Sequence, residues 1–270
     1  MTKSDPRRRG AAFIGLSWSS MSIEWLDPFD PDYPFPPVET ACTDPDGLLA
    51  AGGDLHPQRL LCAYRHGIFP WYETGQPILW WSPNPRAVLY PKHFRMTRSL
   101  RKSLRNKPYA VSFDRAFRDV MLGCAAPRRR DGGTWITDAM LDAYCQLHAR
   151  GYAHSVEVWH AQDDQLVGGL YGVAVGRVFF GESMFSWAKD ASKIALAYLA
   201  RHLQLWDFPL IDCQLASPHI DSMGAEMIPR AQFLNLLGTY CPRPGKLAPW
   251  RVDTSLEVSA WQPMLTAAAS

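Results

Sequence analysis

Between residues 154 and 186 the chain holds three apolar stretches almost end to end: "HSVEVWH", "QLVGGLYGVAVG" and "RVFFGESMF". Runs of that length, rich in Val, Phe and Tyr, read as strands. The short polar or glycine turns between them allow only antiparallel neighbours. The segment is therefore an antiparallel meander, and the rest of the chain must pack around it. A helix follows over "DASKIALAYLARHLQLW", with Asp190 or Ser192 placed to cap it. One more apolar strand comes next, "PLIDCQLAS" at residues 209–217, and then a helix near "RAQFLNLL".

Upstream of the meander the elements alternate as in an α/β domain. "RAVLYP" and "YAVSF" read as strands, "TRSLRKSLRN" and "RAFRDVMLGC" as helices, the latter with Asp114 as its cap. Thr137 caps a further helix over "DAMLDAYCQLHAR", and Gly151 closes it. Before residue 86 the character changes. Residues 27–46 are too rich in proline for helix or inner strand and read as an extended segment. Pro57 then opens a short helix with Leu60, Leu61 and Tyr64 as its apolar stripe, and Gly67 stops it. The expected organisation is a flexible leader (1–20), a small N-terminal domain (21–85), a larger domain (86–250) and an aperiodic, disordered tail (251–270). The class is mixed α/β with a mostly antiparallel central sheet.

Composition narrows the function. A net charge of +2 on 270 residues gives no global attraction for a polyanion, so any nucleic-acid surface must be a local patch. No run approaches the ~18 apolar residues of a membrane span, and the chain reads as cytoplasmic. The six cysteines are scattered without a CxxC, as buried free thiols of a reducing compartment would be. No His pair has metal-ligand spacing, so no metal is expected.

In "LIDCQ" the strand alternation puts Asp212 and Gln214 on one face, opposite Ile211 and Cys213. Glu182 stands in the equally apolar "VFFGESMF", where a carboxylate is expensive unless it is paired or used. Either acid alone fits a polar network tying strand ends. Two acids and an amide after a glycine-rich hairpin point to a site. Such a group suits an amine nucleophile, because an α-ammonium with a pKa near ~8 must lose a proton before it can attack. Asp212 is the candidate for that step, directly or through a relay, with Gln214 orienting the amine or the scissile carbonyl. GxSxG, GxGxxG and the P-loop pattern are absent.

The stretch "KHFRMTRSLRKSLRNK" (92–107) carries seven Lys or Arg and no acid. Arg98, Arg101, Lys102 and Arg105 fall on one helical side, a stripe that could follow a phosphate backbone or simply face solvent. The "PRRRDGGTWI" run, Trp71 and "WWSPNPR" offer aromatic platforms beside arginines, as single-stranded nucleic-acid ends require.

The motifs "DGLLAAGGDL", "RHGIFPWY", "ILWWSPNPRAVL", "GTWIT", "LVGGLYGVAVGRVFFGESMFS", "DASKIAL", "LIDCQ" and "GAEMIPR" together resemble the signature of bacterial leucyl/phenylalanyl-tRNA–protein transferases, from about residue 35 to 240. The resemblance implies transfer of Leu or Phe, less readily Met, from aminoacyl-tRNA to proteins beginning with Arg or Lys, which marks them for N-degron degradation. It implies an acetyltransferase-like (GNAT) second domain and no cofactor, since the aminoacyl ester is already activated. It makes Asp212, Gln214 and Glu182 catalytic, and Trp71 and Trp135 the residues holding the terminal adenosine. Leu170, Phe179, Met184, Leu199 and Ile211 become the pocket for the transferred side chain, and the basic stripe read above is the candidate contact to the tRNA backbone. The carboxylate that meets the acceptor's basic first residue is Glu182 or another acid. Nothing asks for an oligomer, so a monomer is expected. Two other readings share parts of this pattern. A CoA-dependent N-acetyltransferase would need the R-x-x-G-x-G/A loop, which is missing, and a noncatalytic RNA-end binder would have no use for Asp212.

Overall fold

The computed structural model describes residues 23–130 and 136–264. The first of its two sheets uses β1 (Glu24–Leu26), β2 (Leu48–Gly52), β3 (Phe69–Pro70) and β4 (Leu79–Trp81) in the order β1-β2-β4-β3. Helix α1 (Pro57–Arg65) connects β2 to β3.

The second sheet begins with β5 (Arg86–Leu89), so the change of sheet falls where the proline-rich "SPNP" ends. Next come α2 (Arg98–Asn106), β6 (Tyr109–Phe113), α3 (Phe117–Arg130) and α4 (Asp138–Ala149). The meander is β7 (Ala153–His160), β8 (Gln165–Val175) and β9 (Val178–Ser186), followed by α5 (Ala191–Leu205) and β10 (Leu210–Gln214). The chain then forms α6 (Pro218–Asp221), β11 (Glu226–Ile228) and α7 (Arg230–Tyr240). The spatial order is β11-β5-β10-β9-β8-β7-β6. Every neighbouring pair is antiparallel except β9 and β10, which run parallel because α5 carries the chain back across the sheet.

The mixed α/β class and the mostly antiparallel second sheet are as expected. One apolar core runs from the first sheet beneath α3 and α4, and a second fills the opposite face under α5. On α5, Ile194, Leu196, Leu199 and Leu203 are all buried.

Four expectations are corrected. Asp190 does hold the residue position before α5, but at φ +65°, and its carboxylate accepts from Ser103 Oγ at 2.7 Å instead of capping. Asp114 does not cap α3, which starts three residues later. Its carboxylate is taken by Ser155 N (3.0 Å), His154 Nδ1 (2.9 Å) and Trp250 N (2.7 Å). The amides of Arg115 and Ala116 face Glu157 instead, at 3.4 Å each. Trp80 and Trp81 are core side chains, not platforms. Finally, the tail is docked as far as Met264. Trp250 stacks on His154 with ring centres 3.7 Å apart, and Trp261 stacks on Phe94 at 5.5 Å. It shows no period because isolated tryptophans anchor it, not a repeating face.

Candidate functional site

Strands β9 and β10 stay paired from Leu210↔Val178 to Asp212↔Phe180, and beyond that point they diverge. Glu182 stands on one side of the gap and Gln214 on the other. Each is placed by a register shift: β9 slips against β8 between Gly181 and Ser183, and β10 slips against β5 between Asp212 and Gln214. Bulges of this kind re-aim a side chain that a regular pleat would turn elsewhere.

Among the described residues Glu182 is met only by neutral donors. Oε1 accepts from Tyr64 Oη at 2.7 Å and Gln214 Nε2 at 3.0 Å, and Oε2 accepts from Tyr144 Oη at 3.0 Å. The two tyrosine hydroxyls also touch each other. Burial disfavours the charged carboxylate and raises its pKa from 4.5 to about 7, with Asp212 nearby adding to the rise and the three donors opposing it. Burial and the Glu182 charge push both tyrosines well up, so they remain donors.

Asp212 has no exposure at all. Arg86 grips it with two parallel bonds, Nε to Oδ1 at 2.8 Å and Nη2 to Oδ2 at 2.7 Å. The guanidinium is itself held between the rings of Phe69 and Phe233, with its carbon 4.8 and 4.7 Å from their centres. The pleat predicted through "LIDCQ" does not reach Gln214. That residue turns to φ +62°, its N–H donates to Asp212 Oδ1 at 2.9 Å, and Leu215 N–H returns to Cys213 O at 2.7 Å. A left-handed non-glycine residue is strained by about 1–3 kcal/mol and persists only when its surroundings enforce it.

Two cavities flank Glu182. One, of about 220 Å³, is lined by all five residues expected to form a side-chain pocket: Leu170, Phe179, Met184, Leu199 and Ile211. Leu196, His219 and Ile220 also reach it. The other, of about 300 Å³, lies against Phe69, Pro70 and Trp71. Glu182, Cys213 and Leu215 belong to both. Asp212 lines neither. Burial, reinforced by the Asp212 charge, pushes the Cys213 thiol up, so it is no thiolate nucleophile. An apolar recess beside a carboxylate near about 7 suits binding a hydrophobic group and taking a proton from an ammonium.

Trp71 is 42% exposed at the mouth of the second cavity. On α2, Arg98, Lys102 and Arg105 are exposed, whereas Arg101 is half-buried and donates to Ser259 O at 2.6 Å, so the tail occupies part of the basic stripe. Trp135 and the "DGG" of "PRRRDGG" lie outside the described residues, as does the leader 1–20. All six cysteines are free, and among the described residues no cluster of His, Cys, Asp and Glu could hold a metal ion. Sequence reasoning missed Tyr64, Tyr144 and Arg86. Tyr64 was counted into an apolar stripe, and only its hydroxyl end gave a hint of polar work.

A family model described as leucyl/phenylalanyl-tRNA protein transferase matches residues 88–238, and the model for the N-terminal domain of the same proteins matches residues 53–84. The leucyl/phenylalanyl-tRNA–protein transferase of Stutzerimonas stutzeri is 58% identical over 220 residues, spanning 82% of this chain and 96% of that protein. The enzyme of the same description from Pseudomonas aeruginosa is 57% identical over 222 residues, with 82% and 96% covered. Among solved structures, L-PGS from Bacillus licheniformis aligns with 57% of this chain and 50% of its own, at 11% identity and a TM-score of 0.36, a likeness too loose to carry an argument.

Proposed function

The chain belongs to the leucyl/phenylalanyl-tRNA–protein transferase family, and on that premise we propose how its cavities divide the substrates. It is an aminoacyltransferase whose donor is aminoacyl-tRNA. The apolar cavity takes the side chain of the Leu or Phe being moved, and Met less readily. The cavity at Trp71 takes the terminal adenosine by stacking. The ester linking them then lies at Glu182, where the cavities meet. The exposed Arg98, Lys102 and Arg105 contact tRNA phosphates farther along. Trp135 and Arg101 complete these two sets in the same roles.

The acceptor is the α-amine of a protein beginning with Arg or Lys, and the product enters N-degron degradation. Its nitrogen forms the new bond to the ester carbonyl carbon. The C–O bond to the ribose breaks, and the ribose oxygen leaves with the second proton that the nitrogen sheds as it becomes an amide. Glu182, with a pKa of about 7, is matched to accept the proton that the ammonium must lose before its nitrogen can attack. Gln214 orients the amine beside it, and Asp212 acts from behind Gln214. No metal or CoA enters, because the ester is the activated group. Among the described residues no helix is long and apolar enough to cross a membrane, and we expect a monomer working in the cytoplasm.

The observation that carries this reading is the lining of one largely apolar cavity by all five expected pocket residues, with Glu182 in the same wall. The test mixes purified protein with labelled Leu-tRNA and a peptide beginning with Arg, beside a matched peptide beginning with Ala. Label should move to the Arg peptide alone and be lost in Glu182→Gln and Asp212→Ala. Leu-tRNA binding without labelling of either peptide would sink the reading, and equal labelling would sink the acceptor preference.

A further inference from the structure

Asp212 reaches neither cavity, yet it touches the backbone of a residue that does. We propose that Arg86 is a positioning residue for the transfer: through Asp212 it holds the left-handed turn that delivers the Gln214 amide to Glu182. The inference rests on the reading of Glu182 and Gln214 given above.

The linkage can be followed atom by atom. Arg86 opens β5 and is fixed by burial between Phe69 and Phe233, with its side chain 1% exposed. Its Nε and Nη2 lock both oxygens of Asp212, at 2.8 and 2.7 Å. A planar fork on a carboxylate fixes orientation as well as distance. The oxygen held by Nε, Oδ1, is the one that accepts the N–H of Gln214 at 2.9 Å. That bond and the contact of Leu215 N with Cys213 O define the turn at φ +62°. Turns of this kind are rare in L residues and need outside support. At the end of the turn Gln214 Nε2 donates to Glu182 Oε1 at 3.0 Å.

Stability gives a poor account of this arrangement. Arg86 Nη1 is buried without a hydrogen-bond partner among the described residues. A buried guanidinium with one donor unmet is an unfavourable element that an apolar pair would improve on. What the pair does provide is a rigid acceptor at the one point where the strand must break its pleat. A lysine would keep the charge without the fork.

The test follows wild type, Arg86→Gln, Arg86→Lys, Asp212→Ala and the double variant Arg86→Gln/Asp212→Asn. Each is assayed by single-turnover transfer from Leu-tRNA to an Arg-led peptide, with thermal unfolding and Leu-tRNA binding alongside. Misplacing a reacting group by about 1 Å lowers rates by about 100-fold, which is the loss of single-turnover rate expected for Arg86→Gln with Leu-tRNA affinity unchanged. The acid limb of its pH–rate profile should also move upward, since Glu182 loses a donor. The double variant restores a neutral donor and acceptor at the same two places and leaves no charge unpaired. It should regain at least about tenfold over Arg86→Gln, because positioning is what the pair supplies.

A folded, tRNA-binding double variant as inactive as Asp212→Ala would overturn the proposal, because the carboxylate itself would then be required. A wild-type single-turnover rate in Arg86→Gln or Arg86→Lys would overturn it equally. Should Arg86→Gln fail to fold, Arg86→Lys and the double variant still decide. If wild type labels no peptide, the assigned reaction fails before this inference is reached.

Discussion

Two carboxylates meet at Gln214, and their surroundings are opposite. Asp212 is sealed from solvent and gripped by a guanidinium, whereas Glu182 opens onto two cavities and is met by two phenols and an amide. A cation fixes a charge where it stands. Neutral donors leave the charge undecided, so burial can raise Glu182 to about 7, where a proton moves on and off near neutrality. The difference teaches that the same functional group can be fixed in place on one side of a turn and left free to exchange a proton on the other, according to its donors.

The sharpest way to break that contrast is to remove the proton carrier. Glu182→Gln keeps the shape and should lower the transfer rate by about 10²–10⁴-fold with the fold intact. A single-turnover rate within a few-fold of wild type would assign the proton to another group. On the other side of the turn, Arg86→Met leaves Asp212 charged and alone in the core. Denaturant unfolding should then show a loss of about 3–5 kcal/mol, and a loss below about 1 kcal/mol would mean that the pair is not desolvated as described.

The third comparison uses pH. Glu182 has its folded pKa raised from 4.5 to about 7, so between those values the folded chain binds more protons than the unfolded one. Stability therefore falls as pH rises through that window. Relative to Glu182→Gln, wild type should lose no more than about 3 kcal/mol from pH 4.5 to 7.5. A difference that grows in the opposite direction would contradict the assigned shift. The smallest effect belongs to a single donor. Tyr144→Phe should move the acid limb of the pH–rate profile upward by about one unit, the worth of one hydrogen bond to a charged group. An unmoved limb would show that Tyr144 does not set the Glu182 proton affinity.

Much of this was legible in the chain. The meander at 153–186, helix α5 and the apolar strand after it follow from periodicity, because a sheet buried on both faces leaves little choice of residue. Glu182 and Gln214 were visible as polar residues in apolar strands. The brace was not, because Arg86 and Asp212 are separated by 126 residues and nothing local marks them as partners. The turn at Gln214 was hidden too, since a left-handed residue there is usually announced by Gly or Asn. Asp114 looked like a helix cap because its local sequence allows one. The backbone amide of Trp250, 136 residues away, claims it instead. Trp80 and Trp81 looked like platforms because composition does not say which rings stay in the core.

One feature of the sheet bears on how the enzyme is made. Strand β5 lies between β10 and β11, and both follow it in sequence by more than 100 residues. As the chain emerges from the ribosome, Arg86 has no neighbouring strand until residues 210–228 have been synthesised. Its guanidinium must wait in water for Asp212, and joining such distant segments is the slow part of assembly. The site therefore cannot assemble before residue 228 has been made, and until then Gln214 has no brace.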